Sequence, residues 1–265
     1  MLSRLDPSRP LSVVVGAVVL GIVAGIFSAA FLAITGEPSI EDAIAIEEAN
    51  AAAAAKAAGA TGHEAAEEPE VSRTAQKGAG LFGAYALAGA SFGSLFAVAF
   101  LALRKRVSPS SARALVAGAV LGGAITVSPW LKYPPNPPAV GDPATLAKRQ
   151  ALYALVIVLT FVVLFVAAQY SARLRAAGWV DDQRLVLVVA AVVLPMGIIY
   201  ALMPPPPDAI AVPATLLWRF RLASLAGNLL LWTVLALGFG AAAAAAERRS
   251  GAGARTPRAS TAPAR

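Results

Sequence analysis

The sequence predicts an all-α, polytopic membrane protein: a helical bundle of about six transmembrane helices in three outward-opening hairpins, the last two forming a parallel pseudo-repeat. Three observations carry that expectation. Apolar residues make up 58% of the 265-residue chain and charged residues only 14%, whereas soluble domains run nearer a quarter charged. Six uncharged apolar runs approach or exceed the roughly 20 residues that a helix needs to cross a bilayer core. A proline-rich stretch also recurs about seventy residues after its first appearance.

In chain order the runs are 11–34, 78–103, 114–131, 151–172, 185–203 and 222–246. The first follows Arg4 and Arg9, as a signal peptide would. Its apolar stretch is longer than the usual h-region and no clear cleavage site follows, so it is expected to be retained. The third run is the shortest and carries Pro129 near its end, which marks it as the span to kink. The membrane domain is expected over 11–246, between a cytoplasmic tail at 1–10 and a disordered basic tail at 247–265.

Basic residues set the expected orientation. The N-terminal tail, the 104–113 and 173–184 loops and the C-terminal tail hold 14 Lys and Arg; the three alternate segments hold 8. Both termini are therefore expected in the cytoplasm of a multi-pass inner-membrane protein. Of the 15 Asp and Glu, 9 fall in the single outer segment 35–77. The net charge of +7 then reads as topology and contact with anionic lipid, with no nucleic-acid partner. The chain has no cysteine, so disulfides, thiolate metal sites and cysteine nucleophiles are excluded.

The repeat is specific. "PPNPPAVGDPATLAKRQAL" (134–152) aligns without gaps on "PPPPDAIAVPATLLWRFRL" (204–222), with 10 of 19 positions identical. Prolines end one span and stiffen the loop. In the first copy Asp142 is placed to cap the next helix, with Pro143 at its first position. Val212 lacks that cap in the second copy, where Thr215 is expected to start the helix later. Small residues at every fourth position allow close backbone approach in lipid. They are Ala17, Gly21, Gly25, Ala29 and Ala33 in the first span, Gly89 and Gly93 in the second, and Ala114, Gly118 and Gly122 in the third.

Candidate chemistry is sparse. "GAGLFG" (78–83) fits a dinucleotide fingerprint on paper, but no strand precedes it and a membrane-length run follows, so it is a packing segment. The outer segment "GEPSIEDAIAIEEANAAAAAKAAGATGHEAAEEPEVSR" offers Glu41 and Glu48 on one face of a helix starting near Ser39, flanked by Asp42 and Glu47. His63, the single histidine, lies beside Glu64, Glu67 and Glu68. Carboxylates and imidazole suit divalent cations; the alternative is a solvated acidic helix and loop. Asp142 and Asp208 are further outer carboxylates.

Arg149 and Arg219 occupy equivalent repeat positions near outer helix ends. Arg149, Tyr153 and Thr160 can share one face, as can Arg221, Ser224 and Asn228. These faces read either as polar tracks or as interfacial snorkelling beside Trp130, Tyr133 and Trp218. Asn228 lies deep enough to require an interhelical partner. Met196 and Met203 share a face with Tyr200, and core packing accounts for them more simply than soft-metal binding. No catalytic triad, zinc signature or phosphate loop is visible, so no catalytic residues and no tightly bound cofactor are expected.

"GEPSIEDAIAIEEA", "LKYPPNPPAVGDPATLAKRQALY" and "PATLLWRFRLASLAGNLLLW" resemble the CbtA family, the probable cobalt transporter subunits of bacteria. The resemblance covers essentially the whole chain except its extreme tails. It implies cobalt(2+) as the transported ion, uptake for corrinoid synthesis, and a small single-span, histidine-bearing CbtB-like partner. By motif position Lys132, Asn136, Gly141, Asp142, Arg149 and Arg219 match the family. Its members commonly carry histidine after the Glu-Glu pair, where this chain has Asn50, and are often described with five spans. The expected function is a subunit of a divalent-cation importer, with a non-transporting scaffold or regulatory subunit as the alternative.

Overall fold

In the computed structural model the structure describes residues 6–7, 9–57, 71–138, 140–207, 210 and 212–253. These are almost entirely helical, with no strand among them. Six helices are long and apolar enough to cross a membrane: α1 (Pro10–Thr35), α3 (Arg73–Lys105), α4 (Ser110–Lys132), α5 (Pro143–Ala176), α6 (Asp181–Leu202) and α7 (Ala214–Gly253). A seventh helix, α2 (Glu37–Ala57), follows α1 after Gly36 alone. The Gly36 carbonyl accepts from the amides of Ser39 and Ile40, so α2 starts at Glu37, one turn's edge before the expected Ser39. The candidates His63 and Asp208 lie outside the described residues.

The chain divides into two compact units. The first comprises Met1–Ala33, Val71–Leu121 and Gly227–Arg265. Here α1 and α3 touch backbone to backbone. A Cβ built on Gly21 would stand 2.1 Å from the Gly89 carbonyl oxygen, and one on Gly93 would stand 2.3 Å from that of Ala17. Gly25 is equally tight against the Tyr85 carbonyl, and Gly118 abuts the Ala236 methyl. Only a missing side chain permits such approach, and in lipid this packing drives association.

Aromatic rings fill the remainder of that unit. Phe96, Phe100 and Phe239 are fully buried, with Phe239 edge-on to both partners at 5.3 and 4.9 Å. The Arg113 guanidinium lies 4.8 Å over the Phe100 ring, a geometry that the ring's negative face favours. Polar groups find partners across helices: Ser28 donates to the Gly227 carbonyl, and Asn228 shares a side-chain hydrogen bond with Tyr85. Ser110 donates to Glu247. With Glu247 held this way, α7 continues through Gly253, into residues that charge alone assigns to a tail.

The second unit comprises Ile34–Glu70 and Gly122–Ala226. Within it α4 opens into a wide π turn at Gly123–Val127 just before Pro129. Proline brings no N–H, and its ring would crowd the carbonyl four residues back. That carbonyl belongs to Ile125, and the Tyr153 hydroxyl of α5 approaches it at 3.4 Å. The kink expected from Pro129 therefore takes a definite form, a π turn and a replacement donor from a neighbouring helix. α7 starts at Ala214, immediately after Pro213, whose carbonyl accepts from the Leu217 amide. The later start at Thr215 does not occur, since the Pro213 carbonyl already accepts the first helical hydrogen bond.

Candidate functional site

The motif residues of the second unit gather where α4 and α6 end and α5 and α7 begin. Gly141 adopts φ 110°, a left-handed angle open to glycine. It delivers Asp142 to the N-cap, where the carboxylate accepts the Ala144 amide at 2.9 Å and Pro143 opens the first turn. Gly-Asp-Pro is thus a helix entrance. Asp142 is exposed there and its carboxylate serves the backbone.

Lys132, the last residue of α4, donates to the carbonyls of Tyr200 and Met203 at 2.8 and 2.9 Å. An ammonium among the open carbonyls at the end of α6 opposes the negative end of that helix's dipole. Next to it the buried Tyr133 hydroxyl donates to the Pro204 carbonyl at 2.8 Å, and burial pushes its pKa up, keeping it a donor. One proline loop is thereby fastened to the other.

Arg221 completes the fastening. Its Nη2 donates to Asn136 Oδ1 at 2.9 Å and its Nε to the Pro135 carbonyl at 3.3 Å. The Trp130 indole donates to the Arg221 carbonyl at 3.1 Å, and Trp130 stacks on Trp218 with centroids 6.2 Å apart. The family-matching residues Lys132 and Asn136 are therefore clamps on the loops. Arg149 and Arg219 share a repeat position but have different surroundings. Arg149 lines a cavity with Arg221, while Arg219 is exposed, 3.8 Å from exposed Asp42. A pair so open contributes little.

The acidic helix α2 rests on both loops. Ala43 is buried against Val140 and Leu216, with Ile46 and Val212 packed beside them. That leaves Glu41, Glu47 and Glu48 exposed on α2. Among the described residues no three of His, Cys, Asp and Glu converge as a metal site would require.

A second polar cluster lies deeper in the same unit. Ser128 Oγ sits 2.6 Å from Thr160 Oγ1 and 2.8 Å from the Tyr200 hydroxyl, which also donates to the Ser128 carbonyl at 2.7 Å. Thr160 is buried and its hydroxyl reaches the Val156 carbonyl at 2.7 Å. Three hydroxyls from three helices thus satisfy one another, as polar groups removed from water must. Sequence reasoning placed Tyr200 beside Met196 and Met203 without a polar partner and passed over Ser128. The available signal was Ser128 itself, a hydroxyl inside an otherwise apolar span that has to find a polar partner.

Residues 12–244 match CbtA, described as a probable cobalt transporter subunit. No curated protein and no solved structure is significantly similar to the chain. With nearly all of the membrane domain inside that match, the chain belongs to the CbtA family.

Proposed function

We propose that the chain is the membrane subunit of a bacterial inner-membrane importer for cobalt(2+), feeding corrinoid synthesis. The family match over 12–244 is the observation that carries this reading. In it α2 and both proline loops face the periplasm, and both termini lie in the cytoplasm. The exposed carboxylates of Glu41, Glu47 and Glu48 concentrate hydrated divalent cations by long-range attraction. Imidazole ligands come from a small single-span partner of the CbtB kind, which supplies the borderline-soft donors that cobalt favours.

Uptake of radioactive cobalt by a deletion strain under cobalt limitation tests the proposal. Uptake should fall on deletion and return with the full chain; equal uptake in both strains contradicts it. A scaffold or regulatory role is the second reading, favoured by the lack of a converging ligand set among the described residues. It predicts that Glu41→Gln, Glu47→Gln and Glu48→Gln together leave uptake intact.

A further inference from the structure

We propose that the open groove between α5 and α6 is a binding site for one anionic phospholipid. The groove has a volume of about 1010 Å³ and lies wholly within the second unit. Its lining is graded along the helices. Phe165, Val166, Leu194 and Pro195 form one end, deep in the apolar runs of both spans. Arg173 stands at the other end, in the last turn of α5, with Gln169 and Tyr170 between. Among the described residues the side chains of these three make no hydrogen bond or ion pair. No carboxylate lines the groove. At the start of α6, Asp181 is paired with Arg184 at 2.7 Å, and Asp182 forms no ion pair among the described residues.

The chemistry of the wall selects an amphipathic occupant. An amide and a phenol at the edge of the hydrocarbon need acceptors that acyl chains lack. The guanidinium fork matches the oxygens of a phosphate group. A phospholipid meets each requirement at the right depth. Its phosphate would lie at Arg173, its ester carbonyls one turn deeper at Gln169 and Tyr170, and an acyl chain along Phe165 and Leu194. Arg173 and Phe165 are eight residues apart, about 12 Å by helical rise. One leaflet supplies about half of the roughly 30 Å hydrocarbon core, so the groove has the depth of a single leaflet. An anionic headgroup fits better than a zwitterionic one, because no carboxylate is there to hold an ammonium. A partner's transmembrane helix could cover the apolar end, but its apolar surface would leave Arg173, Gln169 and Tyr170 unanswered.

The test uses the full chain in neutral detergent, titrated with dioleoyl phosphatidylglycerol and, separately, dioleoyl phosphatidylcholine. Native mass spectrometry counts the lipids retained. The expected result is one tightly held phosphatidylglycerol per chain and weaker retention of phosphatidylcholine. Equal retention of the two lipids overturns the proposal. So does a second polypeptide found in place of the lipid, which would make the groove a protein interface.

Arg173→Gln should weaken phosphatidylglycerol binding about tenfold or more, the loss expected for hydrogen bonds to a charged group. Arg175→Gln removes an exposed charge two residues away that does not line the groove, and should leave binding unchanged. Ala191→Phe keeps every charge and fills the groove, so it should also displace the lipid. It stands in if Arg173→Gln fails to fold. Undiminished binding in either groove variant, or an equal loss in Arg175→Gln, overturns the proposal.

Discussion

Arg221 Nη2 and Asn136 Oδ1 lie 2.9 Å apart although 85 residues separate them in the chain. Arg221 stands where the earlier repeat has Ala151, and Asn136 stands where the later one has Pro206. The bond joins the two copies through positions at which they differ. Divergence between the repeats has thus produced a clasp that neither copy could form with an identical partner.

Removing the clasp should be measurable. Arg221→Ala is expected to cost about 1.5–3 kcal/mol, the range for hydrogen bonds to charged groups, and Asn136→Ala less. In a double-mutant cycle by denaturation in detergent, the pair should couple by about 0.5 kcal/mol or more. Additive losses would show that the contact contributes nothing.

Lys132→Met keeps the length of the side chain and removes its charge. The carbonyls of Tyr200 and Met203 then lose their cation, and a stability loss of about 1.5–3 kcal/mol is expected. Lys132→Arg should recover part of it in the same melting assay.

Gly89→Ala and Gly83→Ala separate packing from propensity. A methyl at Gly89 meets the Gly21 carbonyl oxygen at 2.1 Å, whereas one at Gly83 meets nothing within 4 Å. The first should lose about 1–3 kcal/mol through overpacking. The second should be neutral or gain about 0.5–1 kcal/mol, since glycine is entropically costly inside a helix. Monodispersity and melting temperature after purification report both.

Carboxylate-to-amide changes at Glu41, Glu47 and Glu48 should lower cobalt uptake most at low ionic strength. The difference should shrink as salt approaches physiological levels, where the screening length falls to about 8 Å. A salt-independent defect would indicate direct coordination by one of these groups.

Orientation can be checked without first removing native thiols, because the chain has none. Pro138→Cys and Lys105→Cys both fall on exposed positions. A membrane-impermeant maleimide should label the first on intact cells and the second only after permeabilisation.

The spans were legible because hydropathy over twenty residues is a strong, local signal. So were the glycine contacts, since spacing by four puts small residues on one helical face. The Asp142 cap could be read from Asp-Pro itself. The clasp at Arg221 could not: its partner is distant in sequence, and an arginine at a span's end has snorkelling as a ready explanation. The hydroxyl cluster at Tyr200 stayed hidden for a related reason. An aromatic near an interface needs no polar partner to account for it, and only the fold brings Ser128 and Thr160 to its hydroxyl. The seat of α2 on the loops rests on Ala43, a residue too common in this chain to single out.

The thinly covered α6 has a practical consequence. Among the described residues Met196 is the one residue of α6 that is buried, so much of its surface is left to the surrounding amphiphile. At 22 residues it is about 33 Å long by helical rise, close to the thickness of a typical bilayer core. Detergents or nanodiscs whose hydrophobic belt matches that length should hold the protein best, and thinner micelles should loosen α6 first.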